Sequence, residues 1–247
     1  MISKNEIKDI RALGQKKFRD ERGLFVVEGE KLVAEALQSG WDVVAHYRVE
    51  DIGEDAMARI SQLTHPSPAL AVVRQPAEVP FAATPDELVL ALDGVRDPGN
   101  LGTIIRIADW FGVRQILVSD DTVECYNPKV VQATMGAIFR VQVHACDLAE
   151  MLASAAADGF SASEHFSASR TVYGTFLEGD NIYETPLTPG GILVMGSEAN
   201  GISPEIAAAV TRKLFIPPFP PDARTGESLN VAVATAIACS EFRRRHP

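Results

Sequence analysis

The stretch LVLALDGVRDPGNLGTIIR, residues 88–106, decides the fold class. Its first part, 88–95, is an apolar run of the kind that forms a buried parallel strand. The tetrapeptide DPGN (97–100) has the composition of a tight turn, and LGTIIR then has the pattern of a helix start. Because a strand, a short turn and a helix are the repeating parts of α/β domains, the stretch predicts a mostly parallel α/β sheet.

The same alternation of apolar runs and helix-like segments continues on both sides of this stretch. Downstream strands are predicted in VRQILVS (113–119), FRVQV (139–143), GILVMGSE (191–198) and KLFIPPF (213–219). Upstream strands are predicted in LFVVEG (24–29), WDVVAHYRV (41–49) and ALAVVRQP (69–76). The intervening residues are rich in proline, so we expect a small α/β domain at 1–75, a linker at 76–87 and the main domain at 88–247.

The overall charge argues against nucleic acid, but its distribution does not. The 247 residues have a formal net charge of −10, whereas residues 1–24 carry seven basic and four acidic side chains. Lys16, Lys17 and Arg19 are the candidate RNA contacts in this segment, because phosphate binding depends on clustered Lys and Arg. The alternative is that these side chains form an ordinary solvated helix face.

The three cysteines, Cys125, Cys146 and Cys239, are far apart and form neither a CxxC pair nor a disulfide framework. We therefore expect a cytoplasmic protein without a metal site. The N-terminus lacks the apolar core of a secretion signal, and no apolar run is long enough to span a bilayer, so a membrane association is not expected.

Three clusters of residues follow predicted strands and are candidates for chemistry. In the first, Asn100 ends the DPGN turn, Gly102 two residues later lets the backbone pass close to another group, and Arg106 lies in the helix that follows. Arg106 could face the carboxyl edge of the sheet, where open α/β sheets bind ligands. A well-made turn followed by a surface arginine explains the same residues, and the glycines do not match G-x-G-x-x-G or a Walker A loop.

The second cluster is LVMGSEANGISPE, residues 193–205. Gly196 and Gly201 flank a loop whose backbone N–H and C=O groups could bind a ligand. Glu198 within that loop is either a catalytic base or a structural carboxylate that accepts hydrogen bonds from turn N–H groups. Ser203 and Pro204 indicate that a helix begins directly after the loop.

The third cluster runs from Ile216 through a proline-rich loop to the last helix. Ser228 is the predicted N-cap of that helix. Asn230 is unfavourable inside a helix unless its amide bonds a specific group, so it could complete a polar set with Asn100 and Arg106.

Taken in order, the three clusters resemble the three motifs of the SpoU (TrmH) family of RNA ribose methyltransferases. The matching patterns are Asn100-x-Gly102-x-x-x-Arg106, GSEANGIS (196–203), and Ile216-Pro217 with SLNV (228–231). The resemblance covers roughly residues 88–245. In addition, residues 16–37 are similar to the N-terminal substrate-binding domain of many members, which resembles the ribosomal protein L30e fold.

The resemblance implies a SPOUT-type α/β domain with a C-terminal trefoil knot, a homodimer, and S-adenosylmethionine as cofactor. It implies cofactor contacts at Gly196, Gly201, Ile216 and Leu229. It also implies catalytic or site-shaping roles for a second set: Asn100, Arg106, Glu198, Ser228 and Asn230. The loop 217–227 departs from the family pattern because it is longer and richer in proline, so cofactor contacts along it are not assigned.

The reaction implied is methyl transfer to a ribose 2′-hydroxyl of ribosomal or transfer RNA. A guanidinium rarely acts as a base, so we expect Arg106 to contact the RNA phosphate or the 2′-oxygen electrostatically. Two rivals are an inactive RNA-binding protein of the same fold and a dinucleotide-dependent oxidoreductase. The second requires a glycine fingerprint that the DPGNLGT loop lacks.

Overall fold

The computed structural model describes residues 2–156, 170–220, 226 and 228–246. The chain divides into two compact units. The first comprises residues 1–78 together with 124–140, and the second comprises 79–123 and 141–247. The return of residues 124–140 to the first unit was not predicted from the sequence. The boundaries proposed above, at residues 75 and 88, stay predictions, and the structure divides between residues 78 and 79.

The first unit is a three-stranded antiparallel sheet covered by helices. In chain order its elements are α1 Lys4–Ala12, α2 Lys16–Arg22, β1 Leu24–Glu28, α3 Glu30–Gln38, β2 Val43–Arg48, α4 Val49–Ile52, α5 Glu54–Ile60 and β3 Ala69–Arg74. The strand order is β1-β3-β2, with both pairs antiparallel. All three predicted strands are confirmed. The strands are rich in Val, Leu and Phe, which favour strands. These side chains are buried in two core clusters, one on each face of the central strand β3.

The second unit contains the parallel sheet. Its first elements are β4 Leu88–Asp93, α6 Pro98–Trp110 and β5 Gln115–Val118. The next two elements in chain order, α7 Pro128–Thr134 and a 3₁₀ turn at Ala137–Phe139, belong to the first unit. The second unit then continues with β6 Gln142–Ala145, α8 Leu148–Ala156, β7 Val172–Asn181, β8 Gly191–Gly196, α9 Pro204–Ala209, β9 Arg212–Phe215 and α10 Val231–Arg245. In the described residues the strand order is β6-β5-β4-β8-β7-β9.

The parallel sheet predicted from residues 88–106 is confirmed. Every neighbouring pair in this sheet is parallel, and β4 and β8 pair over their full lengths, from Leu88↔Gly191 to Asp93↔Gly196. Both strands are almost completely buried, which explains why their sequences are continuous apolar runs. The trefoil knot that the family resemblance implies stays a prediction.

One strand was misplaced by the sequence pattern. FRVQV (139–143) predicted a strand that begins at Phe139, whereas β6 begins at Gln142. Phe139 instead ends the 3₁₀ turn and packs in the core of the first unit with Phe25 and Trp41. The apolar residues of this segment are therefore divided between the 3₁₀ turn, which contains Phe139, and β6, which contains Val143.

Among the described helices, none is both long enough and apolar enough to cross a membrane.

Candidate active site

The three motif clusters lie at one edge of the parallel sheet. Strands β4, β8, β7 and β9 are consecutive neighbours and run in the same direction, so their carboxyl ends meet at the same edge. Asn100 follows β4, Gly196 ends β8 and Ile216 follows β9 directly. This is the edge at which open α/β sheets bind their ligands.

Asn100 is positioned by the start of α6. Asp97 is the N-cap of this helix, and its Oδ1 accepts a hydrogen bond from the Asn100 backbone N–H at 2.8 Å. Pro98 occupies the first helical turn, where its missing N–H is not needed. The turn chemistry read from the sequence therefore fixes where the Asn100 side chain points.

The side-chain amide of Asn100 joins the other two motifs. Its Nδ2 donates to the Glu198 carboxylate, and its Oδ1 accepts from Asn230 Nδ2 at 2.9 Å. These partners are 98 and 130 residues away along the chain. The Asn100 side-chain amide thus holds the loop after β8 and the start of α10 against the start of α6. We call the three residues Asn100, Glu198 and Asn230 the amide network.

Asn230, and not Ser228, is the N-cap of α10. Its Oδ1 accepts from the backbone N–H groups of Ala232 at 3.0 Å and Val233 at 3.3 Å. The prediction that Ser228 caps this helix is therefore wrong, because α10 begins two residues later than expected. Asparagine is unfavourable inside a helix but is among the best N-cap residues. The N-cap position therefore explains why an asparagine stands at residue 230. Ser228 lies exposed just before the cap.

The loop 197–201 closes on itself and then crosses close to the end of β8. Ser197 and Gly201 exchange backbone hydrogen bonds of 3.1 and 2.9 Å, and Gly201 has a φ of +65°, which favours glycine. A Cβ built on Gly196 would come closer than 3.0 Å to three backbone atoms of Gly201 and Ile202. Only glycine therefore allows the backbone to pass at this point.

A buried carboxylate that the sequence analysis missed anchors the far end of this loop. Asp93, the last residue of β4, is 8% exposed and accepts from the Ser203 backbone N–H at 2.6 Å. An acidic residue that ends an otherwise apolar strand was the signal that could have identified it. Ser203 precedes α9 as predicted, but its own side chain makes no capping hydrogen bond.

Two apolar side chains are exposed in the loops that follow β9. Phe219 is 93% exposed and Leu229 is 50% exposed. Exposed large apolar side chains are typical of a surface that contacts a ligand or partner, and Leu229 directly precedes Asn230 of the amide network. Residues 221–225 and 227 of the unusual 217–227 loop lie outside the described residues.

Arg106 is not part of the amide network in this chain. It lies on α6 six residues after Asn100, so at about 100° per residue the two side chains point to different faces of the helix. Arg106 is exposed, and no other described residue forms a hydrogen bond or ion pair with its guanidinium. The structure therefore brings together Asn100, Glu198 and Asn230 but leaves Arg106 facing outward.

The predicted RNA contacts of the first unit divide into two kinds. Lys16 and Lys17 are exposed at the start of α2, where Lys16 Nζ pairs with Asp20 at 2.5 Å. Arg19 is 2% exposed, donates to the Leu13 carbonyl at 2.8 Å and forms an ion pair with Glu124. The prediction that Arg19 contacts RNA is wrong for this structure, because its guanidinium is buried and already paired.

Within the described residues, no group of three or more His, Cys, Asp and Glu side chains is placed to bind a metal ion.

A parallel sheet whose carboxyl edge gathers three motif loops through one amide network is the arrangement expected from the resemblance to the SpoU (TrmH) family. The model of the SpoU rRNA Methylase family matches residues 87–240, and that of the MRM3-like substrate binding domain matches residues 4–58. The chain belongs to the SpoU rRNA methylase family.

Relatives and solved structures match over nearly the whole chain. The 23S rRNA (guanosine(2553)-2'-O)-methyltransferase RlmP of Bacillus subtilis is 31% identical, and the match covers 98% of this chain and 97% of that protein. A TrmH-family protein from Porphyromonas gingivalis is 42% identical, with a TM-score of 0.84 and 99% of both chains covered. An AdoMet-bound rRNA methyltransferase from Sinorhizobium meliloti is 30% identical, with a TM-score of 0.79 over 99% of this chain and 97% of that one.

Proposed function

We propose that this S-adenosylmethionine-dependent RNA 2′-O-methyltransferase modifies large-subunit ribosomal RNA. The amide network, in which Asn100 holds Glu198 and Asn230 at the ligand-binding edge, supports the position of the active site. The choice of ribosomal over transfer RNA is supported by the Bacillus subtilis relative, which matches over both domains and acts on 23S rRNA. A ribosomal substrate is also consistent with a cytoplasmic location.

The residues at the sheet edge suit S-adenosylmethionine. Gly196, Gly201 and Ile216 would bind it largely through backbone groups, and Leu229 would cover it with an apolar side chain that is half exposed here. The close approach of Gly196 to Gly201 holds this loop in one conformation. When bound, S-adenosylmethionine supplies a methyl group on a positively charged sulfur that leaves as a neutral thioether.

The chain's own task is to activate the ribose hydroxyl, which is a weak nucleophile. Arg106 stabilises negative charge on the 2′-oxygen or on the adjacent phosphate, and the phosphate assists removal of the proton. Glu198 fixes the Asn100 amide and thereby the geometry of the acceptor site, and the exposed Ser228 lies two residues before Asn230 in the chain. Alignment of the reacting atoms is worth several kcal/mol, on the order of 7–11 in well-oriented intramolecular reactions.

Arg106 would perform this role in a homodimer. Its outward direction on α6 would place it in the site of a second copy of the chain. Trp110, one turn further along the same helix, is 85% exposed, and Val233 at the start of α10 is 50% exposed. Large apolar side chains on the exposed faces of two helices support an interface there.

A subunit-mixing experiment tests this arrangement. At an S-adenosylmethionine concentration that fills the wild-type site but not the weakened site of Gly196→Ala, this variant and Arg106→Ala are each expected to show little activity, because each lacks one part of the composite site. Mixing and reassociating the two variants should restore about a quarter of wild-type activity, since half of the dimers are mixed and each mixed dimer has one intact site. If mixed dimers form but remain inactive, Arg106 acts within its own chain.

The first unit would bind RNA through its exposed lysines. Lys17→Glu is expected to weaken RNA binding, with a loss that decreases as salt is raised, because phosphate contacts release counterions. Lys31→Glu is the matched control, since Lys31 is also exposed in the first unit but lies on α3. If both variants bind RNA as tightly as the wild type, the proposal that α2 contacts RNA is refuted.

The substrate is tested by mapping 2′-O-methyl groups in RNA from cells with and without the gene. We expect one position in 23S rRNA to lose its mark; loss of a transfer-RNA mark instead would refute the ribosomal assignment. A calorimetric titration with S-adenosylmethionine addresses the rival, an inactive RNA-binding protein. Binding together with turnover on RNA extracted from the deletion strain excludes that rival.

A further inference from the structure

A pocket of about 200 Å³ lies beside the amide network, on the side of β5. Its lining includes Asp93, Arg96, Asp121, Glu198, Asn200 and Ser203. These residues come from the end of β4 and from the loops after β4, β5 and β8, three adjacent parallel strands, so the pocket opens at the carboxyl edge of the sheet. Ile216 and Leu229 do not line it. The pocket therefore shares one cofactor loop, 197–201 with Gly201, and Glu198 of that loop forms part of its wall.

Arg96 is directed at this pocket by a chain of hydrogen bonds. The Gly94 backbone N–H donates to Ser119 Oγ at 2.9 Å, and Ser119 Oγ donates to Asp121 Oδ1 at 2.8 Å. Arg96 Nη2 then donates to Asp121 Oδ2 at 2.8 Å. Gly94 has a φ of +67°, and a Cβ there would lie 3.2 Å from Asp121 Oδ2. The backbone and side chains of both loops therefore fix the position of Asp121.

The ion pair leaves Arg96 available for another partner. Arg96 and Asp121 are 71% and 51% exposed, and ion pairs this exposed contribute little net stability. Hydrogen bonds from Arg96 and Ser119 lower the pKa of Asp121, so its carboxylate stays charged at neutral pH. A guanidinium has five N–H donors, of which one engages Asp121, and the remaining donors match the oxygens of a phosphate.

We propose that Arg96 binds a phosphate of the RNA nucleotide that enters this pocket, and that Asp121 positions Arg96 for that contact. The proposal rests on the proposed function and adds to it a substrate contact in the pocket beside Glu198. The ligand is RNA because the pocket adjoins the amide network, where the ribose must lie. Arg96 is thus a substrate-binding residue and Asp121 a positioning residue.

The test compares Arg96→Ala with Arg114→Ala. Arg114 is also exposed in the second unit, but it precedes β5 and so lies at the opposite edge of the sheet. The assay follows methyl transfer from radiolabelled S-adenosylmethionine to ribosomal RNA extracted from the deletion strain. Arg96→Ala should raise the KM for RNA about tenfold and reduce the salt dependence of binding by about one phosphate contact, with unchanged affinity for S-adenosylmethionine. Arg114→Ala should behave as the wild type.

The role of Asp121 is tested in a double-mutant cycle. Asp121→Ala should raise the KM for RNA severalfold in the wild-type background and have no further effect when Arg96 is already alanine. Equal effects in both backgrounds would refute the positioning role. A KM for Arg96→Ala equal to that of the wild type or of Arg114→Ala, in a wild-type enzyme that does transfer methyl groups, would refute the phosphate contact. A wild type that transfers none would instead overturn the proposed function.

Discussion

Replacing Gly196 by alanine should break the cofactor site without unfolding the protein. The new Cβ would lie closer than 3.0 Å to backbone atoms of Gly201 and Ile202, and ordinary contact begins at 3.4 Å. The two backbone segments must therefore separate by more than 0.4 Å, because backbone atoms cannot rotate aside as a flexible side chain can. Overpacking of this kind costs about 1–3 kcal/mol.

We expect most of this strain to appear as lost affinity for S-adenosylmethionine. If the loop 197–201 relieves the strain by leaving its binding conformation, a cost of about 1–3 kcal/mol corresponds to roughly 5- to 150-fold weaker binding. Isothermal titration calorimetry measures the affinity, and thermal unfolding monitors the fold.

Gly112→Ala is the control for the effect of removing a glycine. Gly112 has a φ of +65° and open space around it, so alanine there introduces backbone strain of about 1–2 kcal/mol without a clash. That variant should lose some stability and keep its cofactor affinity. The reasoning fails if Gly196→Ala binds S-adenosylmethionine within twofold of the wild type.

Three further predictions follow from other contacts. Asn100→Asp should reduce kcat strongly, because a carboxylate cannot donate to Glu198 and repels it; steady-state kinetics measures this. Arg19→Met should destabilise the protein by about 3 kcal/mol in urea unfolding, because Glu124 loses its buried partner. Hydrogen bonds from two arginines lower the pKa of Glu241 to about 2, so Glu241→Gln should cost about 1–3 kcal/mol at pH 7, and this difference should vanish as pH falls from about 4.5 to 2.

Each of these has a clear contrary result. Wild-type turnover in Asn100→Asp would mean that the amide network is not needed for catalysis. If Arg19→Met lost RNA affinity but no stability, Arg19 would be an RNA contact after all. A stability difference for Glu241→Gln that persisted at pH 2 would show that charge on this residue is not its cause.

The parallel sheet could be predicted because two of its central strands carry their own signal. β4 and β8 are buried on both faces, so their sequences are unbroken apolar runs that need no knowledge of their neighbours. The strand prediction for residues 139–143 was wrong because its apolar residues belong to two cores. Phe139 is buried in the first unit and Val141 in the second. A local pattern cannot distinguish between two cores.

The sequence pointed to some residues of the amide network but not to the contacts between them. The motif spacing identified Asn100 and Asn230, yet the hydrogen bond between them joins residues 130 positions apart. The burial of Arg19 was hidden for the same reason, since its partner Glu124 is 105 residues away. Ser228 and Asn230 are both good N-caps, and only the backbone decides between them.

The discontinuous first unit affects how the protein can be made. Val131, Ile138 and Phe139 pack in the same core as Phe25 and Val27, so the N-terminal half of that core stays incomplete during translation until residue 140 has left the ribosome. By then β4, α6 and β5 have already been synthesised. The first unit therefore cannot finish folding before these parts of the second unit have been synthesised, and a genetic fusion that transplants residues 1–78 alone would carry an open hydrophobic surface.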